Sequence, residues 1–310
     1  MKLLFFIVNE KAANGRAQKV WKQVKKELEG KNINYRSFQT KYPKHAEELA
    51  RQLYSLHKNK MEAIIVVGGD GTLHEVVNGL VDHPTVKIGF IPAGSGNDFS
   101  RGFKTPKSPL EALSFTMKKK QLSGKRFDIG KVMMNGQRKK EYFVNNIGAG
   151  FDAEVCKLTN ESKLKKYFNK IGLGSLTYVG SVLRLLFTYK LTNIIVEMDG
   201  KICRYEKVWF VTVSNQPFYG GGMKIAPKAD PTDGCLDVTI VHDLSRLKLL
   251  LMFVTVFFGK HTGFKEVVQY KGKRVSIKSD DITLVHADGE LIGHLPLEAE
   301  VQHRKICFLV

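Results

Sequence analysis

Residues 63–80, AIIVVGGDGTLHEVVNGL, decide how the rest of the chain is read. Small and β-branched apolar residues run from Ala63 to Val67 and stop at Gly68-Gly69. Asp70, Gly71 and Thr72 follow, and then Leu73, Val76, Val77 and Leu80 recur at helical spacing. A buried strand therefore enters a helix through a turn that holds one carboxylate among glycines. The turn could be a dinucleotide fingerprint, a phosphate loop or a plain βα turn. The fingerprint G-x-G-x-x-G fails, since His74 stands where its third glycine belongs. A Walker A loop fails for want of Gly-Lys-Ser/Thr. The ingredients of anion binding remain. Glycines let backbone N–H groups approach an anion closely. Thr72 and Glu75 have capping-box spacing, which predicts a helix beginning at Thr72 with its positive end toward the loop. A carboxylate repels phosphate unless a cation or a hydroxyl lies between, so Asp70 points to Mg²⁺-nucleotide chemistry. From this loop alone the plain turn stays open.

Two neighbouring loops narrow the choice. IGFIPAGSGNDFSRGF, 88–103, joins another apolar strand to a helix and holds Gly94, Ser95, Gly96, Asn97, Asp98 and Arg101. NEKAANGRA, 9–17, follows the first strand, Leu3–Val8, and offers Asn9 and Arg16, the latter able to reach phosphate oxygens. Up to about residue 120, short apolar strands (Leu3–Val8, Ile33–Phe38, Ile64–Val67, Val86–Ile91) alternate with helical patterns. That predicts βαβ units and a parallel sheet, with all three loops at the carboxyl ends of strands.

Beyond residue 126 the pattern changes. Asn135-Gly136 and Asp199-Gly200 stand between strand-like runs, Ile129–Met134 with Glu141–Ile147 and Asn193–Met198 with Trp209–Val213. Further strands are predicted at Leu236–Val241, Val275–Ile277, Ile282–His286 and Leu297–Val301, and helices at 162–189 and 244–258. The expected layout is a doubly wound α/β domain over 1–125 and a mostly antiparallel β-sandwich over 126–302, with a strand near 303–310 free to return to the first domain. A chain of 310 residues can bury two such cores.

The charge is far from balanced. Lys and Arg number 49 against 30 Asp and Glu, a net +19. Basic groups cluster at Lys118–Lys120, Arg138–Lys140 and Lys163, Lys165, Lys166 and Lys170. Such a surface attracts polyanions. No nucleic-acid motif accompanies it, so an anionic membrane or a phosphorylated ligand is the expected partner. Four widely spaced cysteines, without metal spacing, read as reduced thiols in the cytoplasm. The apolar N-terminal run is too short for a signal peptide, and LLLMFVTVFF, 249–258, is too short to span a bilayer. With its basic flanks that segment is either a buried core helix or an element resting on a lipid interface.

Gly68-Gly69-Asp70-Gly71-Thr72, with Asn78 beyond it, and Gly94-Ser95-Gly96-Asn97-Asp98-Phe99-x-Arg101 together resemble the catalytic domain shared by diacylglycerol kinases, sphingosine kinases and bacterial lipid kinases. The first motif alone also occurs in NAD kinases and, more loosely, in phosphofructokinases; the pair is more specific to the lipid branch. The resemblance implies a phosphofructokinase-like α/β domain, a C-terminal β-sandwich and an active site in the cleft between them. It implies ATP- and Mg²⁺-dependent phosphorylation of a lipid hydroxyl, diacylglycerol first among the acceptors, by an enzyme peripheral to the membrane. Asp70 would sit at Mg²⁺ and the phosphates, with Gly69, Gly71 and Thr72 supporting them and Asn97 and Asp98 completing the nucleotide side. Glu290, in ADGELIG at 287–293, matches the family's general base, and Asp288-Gly289 is a tight-turn pair that would hold it at a hairpin end. In KADPTDGCLDV, 228–238, Asp233 matches a residue that binds a structural Mg²⁺, with the carbonyls of Asp230 and Cys235, and Asp128 matches an acid linking that metal to the active site. A substrate-site lysine is expected among Lys165, Lys166 and Lys170. The first loop departs from the family pattern: Glu10 replaces proline and Ala13 replaces glycine, and a Cβ at Ala13 disfavours positive φ. Two alternatives stand beside the lipid kinase: an NAD kinase-like small-molecule kinase, and a catalytically silent lipid or nucleotide sensor. Pairing of sheet edges between two copies would give a homodimer.

Overall fold

The structure, a computed structural model, describes residues 3–118, 124–134, 140–161 and 174–310. The basic residues Lys119, Lys120, Arg138, Lys139, Lys163, Lys165, Lys166 and Lys170, and the Asn135-Gly136 turn, lie outside the described residues. The chain divides into two compact units, Met1–Asp128 with Arg304–Val310, and Ile129–His303.

In the first unit β1 (Leu3–Val8), β2 (Tyr35–Gln39), β3 (Met61–Gly68) and β4 (Lys87–Pro92) form a parallel sheet in the order β2-β1-β3-β4. Cys307 and Phe308 extend it beside Lys87 and Ile88 of β4, also in parallel. The helices are α1 (Arg16–Gly30), α2 (His45–His57), α3 (Asp70–Leu80), α4 (Asp98–Gly102) and α5 (Pro109–Lys118). Alternate side chains of a strand point to opposite faces, and here both faces are covered. Leu4, Phe6 and Val8 pack with Trp21 and Val24 of α1 and Leu113 of α5. Phe5, on the other face, stacks on Phe38 and on His57 of α2. Helix α3 lies so close to α2 that a Cβ at Gly79 would meet the Glu47 carbonyl at 2.6 Å. The chain leaves β1 for β2 on one side and takes up β3 on the other, so the loops after β1 and β3 diverge at a topological switch point, where open α/β sheets bind ligands. The second strand starts at Tyr35, two residues later than its apolar run, because the Ile33 N–H still closes helix α1 on the Leu28 carbonyl.

The second unit is a β-sandwich with added helices. Its elements include β5 (Lys125–Met134), β6 (Lys140–Phe143), β7 (Asn146–Gly150), α6 (Phe151–Glu161), α7 (Gly174–Thr188), β8 (Thr192–Met198), β9 (Lys201–Ser214) and β10 (Leu236–His242). After these come α8 (Arg246–Val256), β11 (Val267–Gly272), β12 (Arg274–Ser279), β13 (Leu284–Ala287), β14 (Glu290–His294) and β15 (Leu297–Phe308). The pairs β5–β6, β8–β9, β9–β10, β10–β11, β7–β9, β7–β13, β13–β14, β12–β8 and β12–β15 are antiparallel. Strand β9 serves two layers: residues from Lys201 to Val208 pair with β8, and those from Phe210 to Ser214 with β7 and β10. Lys207, at φ 49°, marks the bend. Val196 and Ile277 of one layer share a core with Val213 and Ile240 of the other.

Two expectations are corrected. The run Glu141–Ile147 is not one strand; it breaks at Val144-Asn145 between β6 and β7, because a distant carboxylate draws in the backbone there, as described below. Helix α6 was not anticipated; it carries Phe151 and Val155 into a second apolar cluster with Trp209, Leu249 and Met252. Of the segment 249–258, Leu249, Met252 and Val256 are buried, while Leu251, Val254 and Phe258 are exposed. Among the described residues no helix is long and apolar enough to cross a membrane.

An ion pair on the sandwich has a pH consequence. Lys131 Nζ lies 2.8 Å from Glu300 Oε1, and this contact holds the Glu300 carboxyl below the usual carboxylate range. A lowered folded-state pKa contributes stability that is present above the ordinary carboxylate value and is lost as pH falls through the lowered one. Lys131→Met is expected to flatten the acid limb of stability between about pH 5 and pH 3, measured as urea midpoints across that window. An unchanged slope would show that the pair contributes nothing there.

Candidate active site

Three loops of the first unit meet at the carboxyl edge of its sheet. The Asn9 N–H donates to the Val67 carbonyl at 2.9 Å, and Asn9 Nδ2 to Thr72 Oγ1 at 3.1 Å. The Ala93 N–H donates to the Gly68 carbonyl at 2.7 Å. A Cβ on Gly94 would stand 2.5 Å from Gly69 Cα, and one on Gly68 would stand 2.7 Å from Thr72 Oγ1. These glycines are therefore required by the close approach of one loop to the next, before any ligand is considered.

Helix α3 begins at Asp70 with Gly69 as its N-cap, not at Thr72. The Thr72–Glu75 capping box does not form. Glu75 instead accepts the backbone N–H groups of Lys44 and Ala46, both at 3.0 Å, at the start of α2, where Lys44 has no side-chain acceptor to offer. The positive N-terminus of an 11-residue helix still opens at this loop.

Asp70 is a brace between motifs. Its Oδ2 accepts from the Asp98 N–H at 3.1 Å and its Oδ1 from the Phe99 N–H at 3.0 Å, capping α4. Asn97 takes a left-handed backbone, φ 54°, and closes the turn by exchanging two 3.1 Å bonds with the Gly94 backbone. Asp98 is buried and its Oδ1 accepts from Arg101 at 3.0 Å. Arg101 also donates to the Gly96 carbonyl, so its guanidinium stiffens its own loop. Ser95 is exposed at the tip. In the first loop Ala13, Asn14 and Gly15 are all left-handed, at φ 47°, 54° and 86°. The expectation that Ala13 resists positive φ is overturned. The loop is closed by Ala12 N–H to the Asn9 carbonyl and by the Arg16 N–H to the carbonyls of Ala12 and Ala13, which offset a conformational cost of about 1–2 kcal/mol. Arg16 opens α1 with its side chain exposed.

On the sandwich, Asp288 and Gly289 form a two-residue turn with φ 50° and 89° between β13 and β14, with Ala287 opposite Glu290. Glu290 is exposed at the first position of β14. Asp288 does more than turn the chain. It accepts three backbone N–H groups, from Val144 at 2.8 Å, Asn145 at 2.8 Å and Asn146 at 3.0 Å, and its own N–H donates to the Asn146 carbonyl. Behind the turn, the Gly289 N–H donates to His286 Nδ1 at 3.3 Å. The proton of the buried imidazole is thus on Nε2, which donates to Asp152 Oδ2 at 3.3 Å. A Cβ on Gly148 would lie 1.8 Å from Asp152 Oδ2 and 2.4 Å from His286 Nε2. Sequence reasoning missed Asp152 and His286; they are 134 residues apart and no spacing announces them.

Asp233 Oδ1 accepts the Cys235 N–H at 2.9 Å, and Asp233 Oδ2 lies 2.7 Å from Lys271 Nζ. The Asp230 carbonyl accepts the Asp233 N–H, and the Asp230 side chain binds Thr232. Burial pushes the neighbouring Asp237 carboxyl up, against the opposing influence of Lys271. Asp128, fully buried in the first unit, accepts the Arg304 N–H at 2.7 Å. Elsewhere in the second unit a small cavity of about 30 Å³ is lined by apolar side chains including Phe151, Leu186, Tyr219, Leu249 and Met252, with Asp152 the one acid in its wall.

The diacylglycerol kinase catalytic domain matches residues 3–132, and the YegS C-terminal NAD kinase beta sandwich-like domain matches residues 145–310. The chain belongs to the diacylglycerol kinase family of lipid kinases. It is 40% identical over 293 residues to YtlR of Bacillus subtilis (strain 168), a protein that carries a provisional lipid kinase name, with 94% of each chain covered. It is 32% identical over 255 residues to a diacylglycerol kinase of the same strain, covering 80% of this chain and 77% of that one. A crystal structure from Bacillus anthracis str. Sterne, provisionally named a diacylglycerol kinase, superposes with a TM-score of 0.78 at 25% identity, covering 99% of this chain and 94% of the other.

Proposed function

We propose that this lipid kinase transfers the γ-phosphoryl group of Mg²⁺-ATP to the free hydroxyl of diacylglycerol, giving phosphatidic acid. The observation that carries the nucleotide half is the brace from Asp70 to Asp98 and Phe99, which holds two glycine loops against each other at the switch point of a parallel sheet. Phosphoryl transfer needs positioning and charge neutralisation more than covalent chemistry. The backbone N–H groups of Gly69 and Gly71, the Thr72 hydroxyl and the start of α3 would face the phosphates. Asp70 would hold the Mg²⁺ of the nucleotide, which would neutralise phosphate charge, and Asn97 and Asp98 would shape the same side. Glu290 takes the proton of the acceptor hydroxyl while its oxygen bonds to the γ-phosphorus and the bond to the ADP oxygen breaks.

For the acceptor, the small cavity is too tight for a whole acyl chain, but its apolar lining has a chemistry that suits the end of one. The exposed Leu247, Leu251 and Val254 of α8 and Phe258 just after it, beside Arg246, Lys248 and Lys260, suit an anionic membrane surface reached from the cytoplasm. The sandwich family's link to NAD kinases favours a second reading, phosphorylation of a small hydroxylated metabolite.

The test is transfer of labelled phosphate from ATP to diacylglycerol, phosphatidylglycerol, sphingosine, ceramide or undecaprenol in mixed micelles, with NAD as a water-soluble acceptor. Diacylglycerol is expected to be labelled fastest. Glu290→Gln is expected to slow transfer by roughly 10²–10⁴-fold with unchanged melting temperature, the range of a lost general base. Labelling of NAD alone would replace the lipid reading, and no transfer at all with ATP bound would favour a silent sensor.

A further inference from the structure

The ammonium of Lys271 sits on the carboxylate that the resemblance assigns to a structural metal. In the β10–β11 ladder Asp237 pairs directly with Lys271. Lys271 Nζ lies 2.7 Å from Asp233 Oδ2, 3.4 Å from Asp237 Oδ2 and 3.5 Å from the Lys228 carbonyl. An ammonium has three N–H donors, and here it meets two carboxylates and one carbonyl. Two of the groups assigned to a metal already have partners: the Asp230 carbonyl takes the Asp233 N–H, and Asp233 takes the Cys235 N–H on Oδ1 and the Lys271 ammonium on Oδ2. A divalent ion at Asp233 would have to expel Lys271 and would leave its charge within a few ångströms of the metal. Mg²⁺ also demands near-ideal octahedral geometry and gives up its waters reluctantly, so a loop already closed on an ammonium fits it poorly.

We propose that Lys271 is a built-in replacement for the structural divalent cation, so that the 228–238 loop and its contact with β11 need no metal. The inference does not depend on which acceptor is phosphorylated, because it is read from unfolding and not from turnover.

The experiment is thermal unfolding of the full chain without nucleotide, in EDTA and in 5–10 mM MgCl₂ or CaCl₂, concentrations of the order at which weak sites fill. The wild type is expected to melt at the same temperature in all three. Lys271→Met leaves Asp233 and Asp237 facing each other without the ammonium that bridges them. It is expected to melt several degrees lower in EDTA and to recover with either divalent ion, a response that the double variant Lys271→Met/Asp233→Asn loses. A wild-type rise of several degrees with Mg²⁺ that Asp233→Asn abolishes would overturn the proposal. So would a folded Lys271→Met variant that shows no response to either ion. If Lys271→Met does not fold, the wild type and Asp233→Asn arms decide the question between them.

Discussion

Replacing Asp70 by asparagine is expected to lower phosphoryl transfer to every acceptor by roughly 10²–10³-fold, the loss typical of removing one group that stabilises transition-state charge. The same change is expected to cost only about 1–2 kcal/mol of stability, the scale of a weakened helix cap. The two effects have separate origins in one carboxylate. Asp70 accepts the N–H groups of both Asp98 and Phe99. An amide keeps one acceptor oxygen and presents an NH₂ to the other N–H, donor against donor, so the brace is half lost. The negative charge that would meet Mg²⁺ is lost entirely. Single-turnover kinetics at saturating ATP, run beside a thermal melt, separates the two. Transfer at close to the wild-type rate would remove Asp70 from the chemistry and leave it a brace alone. Asp70→Ala, which removes both acceptors, is expected to lose more stability than the asparagine variant with no further loss of rate.

Asp288→Ala is expected to be the most destabilising single change in the sandwich. Its carboxylate is shared by three backbone N–H groups, each a charge-assisted bond. Removing it strands all three at the break between β6 and β7. A loss of about 3–4 kcal/mol is expected, near the top of what single substitutions cost, read as a fall in melting temperature of roughly 10 °C for a unit of this size. Asp288→Asn keeps one acceptor and is expected to lose less. A loss under about 1 kcal/mol in the alanine variant would mean that water replaces the carboxylate without strain. Because Glu290 is two residues on, in the next strand, the alanine variant is also expected to slow transfer more than its residual folded fraction explains.

The sequence alone determined a good deal. The alternation of β-branched runs with helical spacing announced the parallel sheet, since burial on both faces leaves a continuous apolar strand. The Asp199-Gly200 and Asp288-Gly289 pairs announced their turns, since both take left-handed backbone. Gly68–Thr72 and Gly94–Asp98 stood out because glycines, an amide and acids at strand ends are costly unless something close requires them. These are local signals, carried by a few consecutive residues. What only the tertiary structure decided are pairings between segments far apart in the chain. Glu75 looks like half of a capping box, yet it serves the start of α2. Asp70 looks like a ligand for a cation, yet it also fastens the second glycine loop. Asp288 breaks a strand 143 residues away, and Lys271 reaches Asp233 across 38 residues. A carboxylate takes whichever donors the fold brings within about 3 Å, and strand register and loop packing set which donors those are.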